Sequence, residues 1–474
     1  MPGGKEIGLY LLGLQEVVDV NSASEALRPY TDPSVSQRWQ KAVQDALPPG
    51  YQLVAEQQLI GLLLLVYAAK DVASDIKAVS TTSVGTGLMG YMGNKGAVTA
   101  RLVLGETTRL VFINAHLAAG VEKGTVERRN WDYSQILSRT RFDPIQDTMG
   151  LSQNTGETIG DEDFAFMVGD LNYRLEGIPG EDVRRLLMLH TRNEYDDSQS
   201  ARQKIDNEIL QAENAKERRR RHRSSTASTT SFSSTGSSIS KTDSLHHEPF
   251  GSDSLPPEHD PASLQTTLAS LLPHDELHQQ MRQRKAFQDW KEGPITFLPT
   301  YKYDVGSVGV FDSSEKRRAP SWCDRILYRT RRDRLAYESL LTEEAESRRK
   351  DEDMKSAGLD RAAEDEEPLY DYDSEEDAQD HNEPSPDIVI TREGFEDELR
   401  LEYYTAHQRV LSSDHKPLDA VFELKYDAII PDLKAKVHQE VAHELDKAEN
   451  EGRPMVTGMR TIIDTSLTTA NQML

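Results

Sequence analysis

Cysteine is nearly absent, with one residue, Cys323, in 474. A single thiol excludes an internal disulfide framework and any Cys-rich zinc site. Long apolar runs are missing as well. The longest, Leu59–Ala69, is too short to span a bilayer and reads as a buried strand. No charged-then-apolar leader opens the chain, so no signal peptide is expected and a cytoplasmic, soluble protein is the default. Basic residues are the minority, 55 against 80 acidic, for a net charge of −25. That argues against a general nucleic-acid binder, which carries a basic footprint, but leaves room for one locally basic pocket. Only 36% of residues are hydrophobic, which points to a normal core diluted by long polar inserts.

The polar material is unevenly spread. Up to about residue 190, apolar runs alternate with Gly-bearing turns. Ile7–Leu14, Gln52–Tyr67, Ala97–Leu104, Leu110–Ala115 and Phe164–Val168 read as buried strands. Val126–Leu137 reads as a helix with Trp131 and Ile136 on its inner face, and Arg184–Leu189 as another. Residues 196–283 form a first insert: charged and helix-prone over Gln203–Arg223, nearly all Ser and Thr over Ser224–Ser244, then loop to about Pro273. Such composition cannot bury enough apolar surface to offset its ordering entropy, so disorder is expected. A second insert, 341–386, is expected to be disordered too. Residues 341–385 carry 18 acidic and 5 basic residues, about half the net charge, so the chain's acidity says little about its active surface. Order resumes at Asp387–Ile390, Leu399–Thr405 and Ala420–Leu424, and Lys434–Asn450 reads as an amphipathic helix. The expected organisation is one α/β domain over residues 1–430, twice interrupted, with a helical tail over 431–474.

Five polar clusters adjoin strand ends: Gln15-Glu16, Asn114-Ala115-His116, Gly169-Asp170-Leu171-Asn172, Trp322-Cys323-Asp324-Arg325 and Ser413-Asp414-His415-Lys416. Charges placed where strands stop gather at one sheet edge, where loops form a site. Several carboxylates, two histidines and two asparagines so placed suit hydrolysis around a hard divalent metal. The motifs GLQEV (13–17), GNKGAV (93–98), NAHLAAG (114–120), GDLNYR (169–174), GPITFLPTYKYD (293–304), SEKRRAPSWCDRIL (314–327) and SSDHKPL (412–418) resemble those of the inositol polyphosphate 5-phosphatases, in the endonuclease/exonuclease/phosphatase superfamily. The type II, multi-domain kind is the nearest match.

The resemblance implies a two-sheet α/β sandwich flanked by helices. It implies Glu16 as the Mg²⁺ ligand, Asp170 to orient and deprotonate the attacking water, and Asn172 beside it to hold that water or a phosphate oxygen. His415 would bind the scissile phosphate, turned and kept protonated by Asp324. Asp414 would support the metal and water network, and His116 would donate to the phosphate. Tyr301, Lys302, Lys316 and Arg318 match the motif that grips the inositol 4-phosphate, for which several cationic donors are apt. Asn94 and Lys95 are expected to approach the head group, with Gly93 and Gly96 letting backbone come close. Leu88, Met89 and Met92 are read as a lip that dips into a membrane, giving a peripheral association with phosphoinositide lipid.

Cys323 to Arg329 fits the C-x5-R spacing of cysteine-dependent phosphatases. Its interior, however, includes Ile326-Leu327-Tyr328, a strand rather than a phosphate nest, so Cys323 is read as structural. The family pattern opens with a strand ending in a Thr-Trp-Asn type motif, which does not precede Ile7 here. That raises a second reading, a phosphoinositide-binding or scaffold protein with impaired catalysis. A nuclease of the same superfamily is a third, opposed by the Tyr301, Lys302, Lys316 and Arg318 set.

Overall fold

The computed structural model describes residues 7–18, 32–145 except 106, 156–194, 263–356, 386–426 except 392, 393 and 395, and 431–450. Strand β1 (Leu9–Leu14) is followed by helix α1 (Pro33–Ala46). Pro33 opens α1, and the Asp32 side chain accepts from Ser34 N at 2.9 Å, satisfying a free amide of the first turn. Next come β2 (Tyr51–Leu59) and β3 (Leu62–Ala69). The single strand expected over Gln52–Tyr67 is therefore a hairpin. Its turn holds Ile60 at φ 48°, with Gly61 next to it. Helix α2 (Lys70–Asp75), β4 (Ile76–Gly85), β5 (Gly96–Leu104), β6 (Thr108–His116), α3 (Thr125–Arg139), β7 (Phe164–Asp170) and α4 (Gly180–Glu194) complete the first half.

The second half holds α5 (Leu264–Leu271), α6 (Glu276–Arg282), β8 (Lys291–Glu292), β9 (Asp324–Thr330), α7 (Arg331–Ser356), β10 (Asp387–Ile390), β11 (Glu396–Ala406), β12 (Leu418–Lys425) and α8 (Pro431–Asn450). The largest sheet runs β4-β5-β6-β7-β9-β8. All its pairings are antiparallel except β6 with β7.

Side chains alternate across a strand, and the layers follow from that parity. Leu110 and Phe112 of β6, with Phe164 and Phe166 of β7, face one way and pack on Leu62, Leu64 and Val66 of β3. Val111, Ile113, Ala115, Ala165 and Met167 face the other way, onto Tyr133 and Ile136 of α3 and onto Phe287 and Trp290. On the far side of β3, Leu63, Leu65 and Tyr67 meet Val43 and Leu47. The order is helix, six-stranded sheet, second sheet layer, helix, as expected of the sandwich. That second layer is two hydrogen-bonded sheets among the described residues, β1-β3-β2 and β10-β11-β12.

Three expectations need correction. Residues 263–283, expected within the disordered first insert, are ordered. Helices α5 and α6 are capped by Ser263 and Asp275, and Leu268, Leu271 and Leu277 are buried. Asp275 also accepts from buried Arg325 Nη1 at 3.0 Å to each oxygen, and Glu292 Oε1 accepts from Arg325 Nε at 2.7 Å. Burial alone would raise the Glu292 carboxyl, but the Arg325 charge and hydrogen bonds, with His278, bring it down to about 2. Removing one partner leaves a buried charge uncompensated. An Asp275→Ala chain is expected to lose roughly 3–5 kcal/mol, read as a lower urea midpoint, and an unchanged midpoint would refute the pairing. Second, the acidic insert begins as helix, since α7 continues to Ser356. Third, Trp131 is half-exposed, not inside, while Ile136 is buried. The stretches Gln203–Arg223 and Ser224–Ser244 lie outside the described residues.

Candidate active site

The sheet register sets the site. Parallel β6 and β7 align His116 with Asp170, and antiparallel β7 and β9 align Asp170 with Asp324. Three chemistry-bearing side chains thus come from three neighbouring strands at one edge. Buried Asn114 ties the β1 end to the same place. Its Nδ2 donates to Leu14 O and Leu63 O, each at 2.9 Å. Its Oδ1 accepts from Gln15 Nε2 at 2.5 Å. Glu16 follows with φ 56°, its half-exposed carboxylate 4.0 Å from His116 Nε2.

Asp170 Oδ2 lies 3.2 Å from His116 Nε2. It also accepts from Asn172 Nδ2 at 3.0 Å, while Oδ1 accepts from Asn172 N at 3.0 Å. Burial would raise this carboxyl. The His116 hydrogen bond and the charges of His415, His116 and Lys95 outweigh that and hold it well below the usual carboxylate range. Lys95 Nζ contacts His116 Nε2. Burial lowers the Lys95 ammonium, with Asp170 and Glu16 pulling partly back.

His415 Nδ1 meets Asp324 Oδ2 at 2.8 Å. Burial would lower the imidazole, yet the Asp324 charge and hydrogen bond, reinforced by Asp170 and Asp414, raise it to about 9. The structure therefore keeps His415 cationic and fixed in orientation. Donor atoms of Asp170, Asp324 and His415 all lie within 4.8 Å of one another.

On the substrate side, the Tyr301 ring packs 4.5 Å from that of His415. Lys302 Nζ donates to Asp414 Oδ2 at 2.9 Å. Asp414 was expected in the metal and water network, whereas here its carboxylate holds Lys302. Arg318 N donates to Asp312 Oδ2 at 2.8 Å, and Asp312 N to Lys302 O at 2.9 Å, so Arg318 is anchored beside Lys302. Lys316 stands exposed on the same loop.

Several expected contacts fall elsewhere. At φ 60° Asn172 turns tightly back onto Asp170. Asn94 Oδ1 accepts from Leu88 N at 3.2 Å, so it staples the lip rather than pointing its carbonyl at a head group. The glycine space at 93 and 96 is filled by protein: a Cβ on Gly93 would meet Leu59 at 2.6 Å, and one on Gly96 would meet Val84 O at 2.0 Å. Leu88 and Met89 of the lip are exposed, but Met92 is half-buried and Tyr91 takes the exposed place. Cys323 is buried and its thiol is pushed well up by burial, as a structural residue should be.

Arg174 is the residue that sequence reading missed. It is almost wholly buried. Its Nη2 bonds Asn172 Oδ1 and its Nε donates to Asn172 O at 3.1 Å. Its guanidinium lies 4.4 Å from the Tyr301 ring centroid. It closes the GDLNYR motif, the one signal that pointed to it.

The donor set fits a hard divalent cation. Glu16 offers oxygen at the rim, and a cation such as Mg²⁺ takes one or two carboxylates and fills the rest with phosphate and water. His415 does not join, being cationic and committed to Asp324.

A model of the Endonuclease/Exonuclease/phosphatase family 2 matches residues 3–232 and 258–346. The chain belongs to this family, in its inositol polyphosphate 5-phosphatase branch. It is 28% identical over 455 residues to the mouse type II inositol 1,4,5-trisphosphate 5-phosphatase, covering 95% of this chain and 30% of that protein. It is 30% identical over 286 residues to type I inositol polyphosphate 5-phosphatase 8 of Arabidopsis thaliana, covering 60% of this chain and 42% of that one. The chain thus spans less than half the length of these relatives. The fold is similar to the inositol polyphosphate 5-phosphatase domain of SpSynaptojanin, solved with inositol (1,4)-bisphosphate and calcium, at TM-score 0.51 and 23% identity over 95% of this chain and 84% of that one. No helix among the described residues is long and apolar enough to cross a membrane.

Proposed function

We propose that the chain hydrolyses the 5-phosphate of phosphatidylinositol 4,5-bisphosphate and related phosphoinositides or inositol polyphosphates by direct attack of water, with Mg²⁺. The observation that carries this is the close grouping of Asp170, Asp324 and His415, an ionised carboxylate oriented by Asn172 beside one cation held ready for a phosphate. Asp170 is ionised throughout the working pH range. It orients the attacking water and accepts its proton as the oxygen bonds phosphorus, while the bond from phosphorus to the inositol 5-oxygen breaks and that oxygen leaves as a hydroxyl, taking its proton from solvent. Asn172 fixes the rotation of that carboxylate through both its amide and its backbone N–H. His415 donates to a phosphate oxygen, and Lys95 with His116 lines the opposite side of Asp170. Glu16 would hold a Mg²⁺, which would supply neutralisation of the phosphate charge.

Selectivity comes from Tyr301, Lys302, Lys316 and Arg318, which receive the 4-phosphate, while Leu88 and Met89 meet the lipid surface. Release of inorganic phosphate from phosphatidylinositol 4,5-bisphosphate vesicles tests the activity. Release is expected with Mg²⁺, lost on chelation and restored by re-addition; release that persists in chelator would overturn the metal assignment. Lys302→Ala combined with Arg318→Ala is expected to erase at least about tenfold of the preference for 4-phosphorylated substrates, since charge-assisted contacts are lost. Unchanged selectivity would discredit that set.

The alternative reading is a phosphoinositide-binding protein with impaired catalysis. Vesicle binding without phosphate release would decide for it.

A further inference from the structure

Between Tyr303 and Phe311 the chain makes a loop, Asp304-Val305-Gly306-Ser307-Val308-Gly309-Val310, with no charged side chain after Asp304. Apolar residues in a tight loop are normally turned inward. Here Val305, Val308 and Val310 are 62%, 49% and 44% exposed. The loop is built to hold them there. Its base is closed by the Tyr303–Phe311 bridge and by Asp304 N donating to Val310 O at 2.9 Å. Ser307 N donates to Asp304 O at 3.1 Å, and Gly306 and Gly309 take φ of 79° and 63°. Those are turns that favour glycine and leave the valines outside.

Its position matters as much as its composition. Tyr303 N donates to Asp414 O at 2.9 Å and Gly306 N to Leu411 O at 2.8 Å, so the loop rises from the rim of the site, one residue beyond Lys302. Lys316, Arg317 and Arg318 follow in the turn beyond Phe311, Arg317 Nη2 pairing with Glu181 Oε2 at 2.9 Å. Arg318 also acts on the charge of Glu122, the neighbour of exposed Val121. Leu88, Met89 and Tyr91 stand on the loop between β4 and β5, whose ends lie at the same sheet edge. Met89 is 86% exposed. An apolar tip with exposed Lys316 and the neighbouring Arg318 behind it suits an anionic bilayer, in which side chains enter the acyl boundary and cations meet head groups.

We propose that the Val305–Val310 loop is a second membrane-inserting element, which with the 88–91 lip seats the site mouth on an anionic lipid surface. This rests on the phosphoinositide reading for its purpose but not for its test. The full chain is mixed with sedimentable vesicles of phosphatidylcholine and phosphatidylserine, which hold no substrate. The V305S/V308S/V310S chain is expected to bind roughly tenfold more weakly than the unaltered chain, the loss anticipated from removing partly buried apolar contacts. A V308W chain is expected to bind more tightly and to show an added emission quenched by lipids brominated on the acyl chain.

Hydrolysis of soluble inositol 1,4,5-trisphosphate is expected to be equal in all three, which shows that the serine chain is folded. No binding by the unaltered chain, equal binding by the serine chain, or an added V308W emission that lipid bromines do not quench overturns the proposal. If the valines instead govern self-association without affecting vesicle binding, it is likewise overturned. Failure of the phosphatase reading would appear separately, as no phosphate release from either soluble or lipid substrate while the vesicle arm still reports on the loop.

Discussion

An Asp170→Asn chain is expected to fold and to lose about a thousandfold in phosphate release, within the range that loss of a general base costs. The side chains are nearly isosteric, and the amide oxygen can still accept from Asn172 N. What disappears is the negative charge that His116, His415 and Lys95 surround. A neutral amide cannot take the proton from water as its oxygen bonds phosphorus. The anionic substrate meets one charge fewer, so KM should stay level or fall while kcat carries the loss. Measured kcat and KM on inositol 1,4,5-trisphosphate separate the two. A variant that keeps kcat would remove Asp170 from the chemistry.

The same carboxyl has a stability consequence. Its folded value is depressed, so its ionised form stabilises the fold above the ordinary carboxylate range, and that contribution is lost as pH falls. Asp170→Asn should therefore melt below the parent at neutral pH, with the difference shrinking in acid.

How much of this was legible in the sequence depended on whether a signal was local. Strands β5, β6 and β7 were readable because each is a short apolar run bounded by turn or polar residues, and the clusters at their ends fell together as the sheet register requires. The β2–β3 hairpin was hidden because its turn contains Ile60, an apolar residue at positive φ, with no Asn, Asp or Pro to mark it. The order in 263–283 was hidden for a different reason. Asp275 and Glu276 look like solvated loop charges, but their partners are Arg325 and Arg129, far away in sequence. Trp131 was expected inside since it shares a helix with Ile136, yet it lies under the lip: a Cβ on Gly90 would come within 3.0 Å of its ring. Arg174 had only its place at the end of the GDLNYR motif to mark it, and its role becomes visible once Asn172 and Tyr301 are seen to flank it.

Asp324 makes the second large effect, and it appears in the pH profile. His415 sits at about 9 because Asp324 contacts it, so its charge is complete below that value and lost as pH rises through it. The parent's kcat/KM on the soluble substrate should accordingly hold through neutral pH and fall on an alkaline limb near 9. Asp324→Asn removes the charge and most of the reason for the shift, leaving an imidazole near its ordinary value of about 6.5. At pH near 8 such a group is protonated only a few per cent of the time, which alone costs roughly thirtyfold. At pH near 6, both chains would carry a charged imidazole, and most of the deficit should vanish. A merely structural carboxylate would lower activity equally across the range. Parallel profiles for parent and variant would therefore show that Asp324 does not set the charge of His415, whereas a limb displaced by about two and a half units toward acid would show that it does.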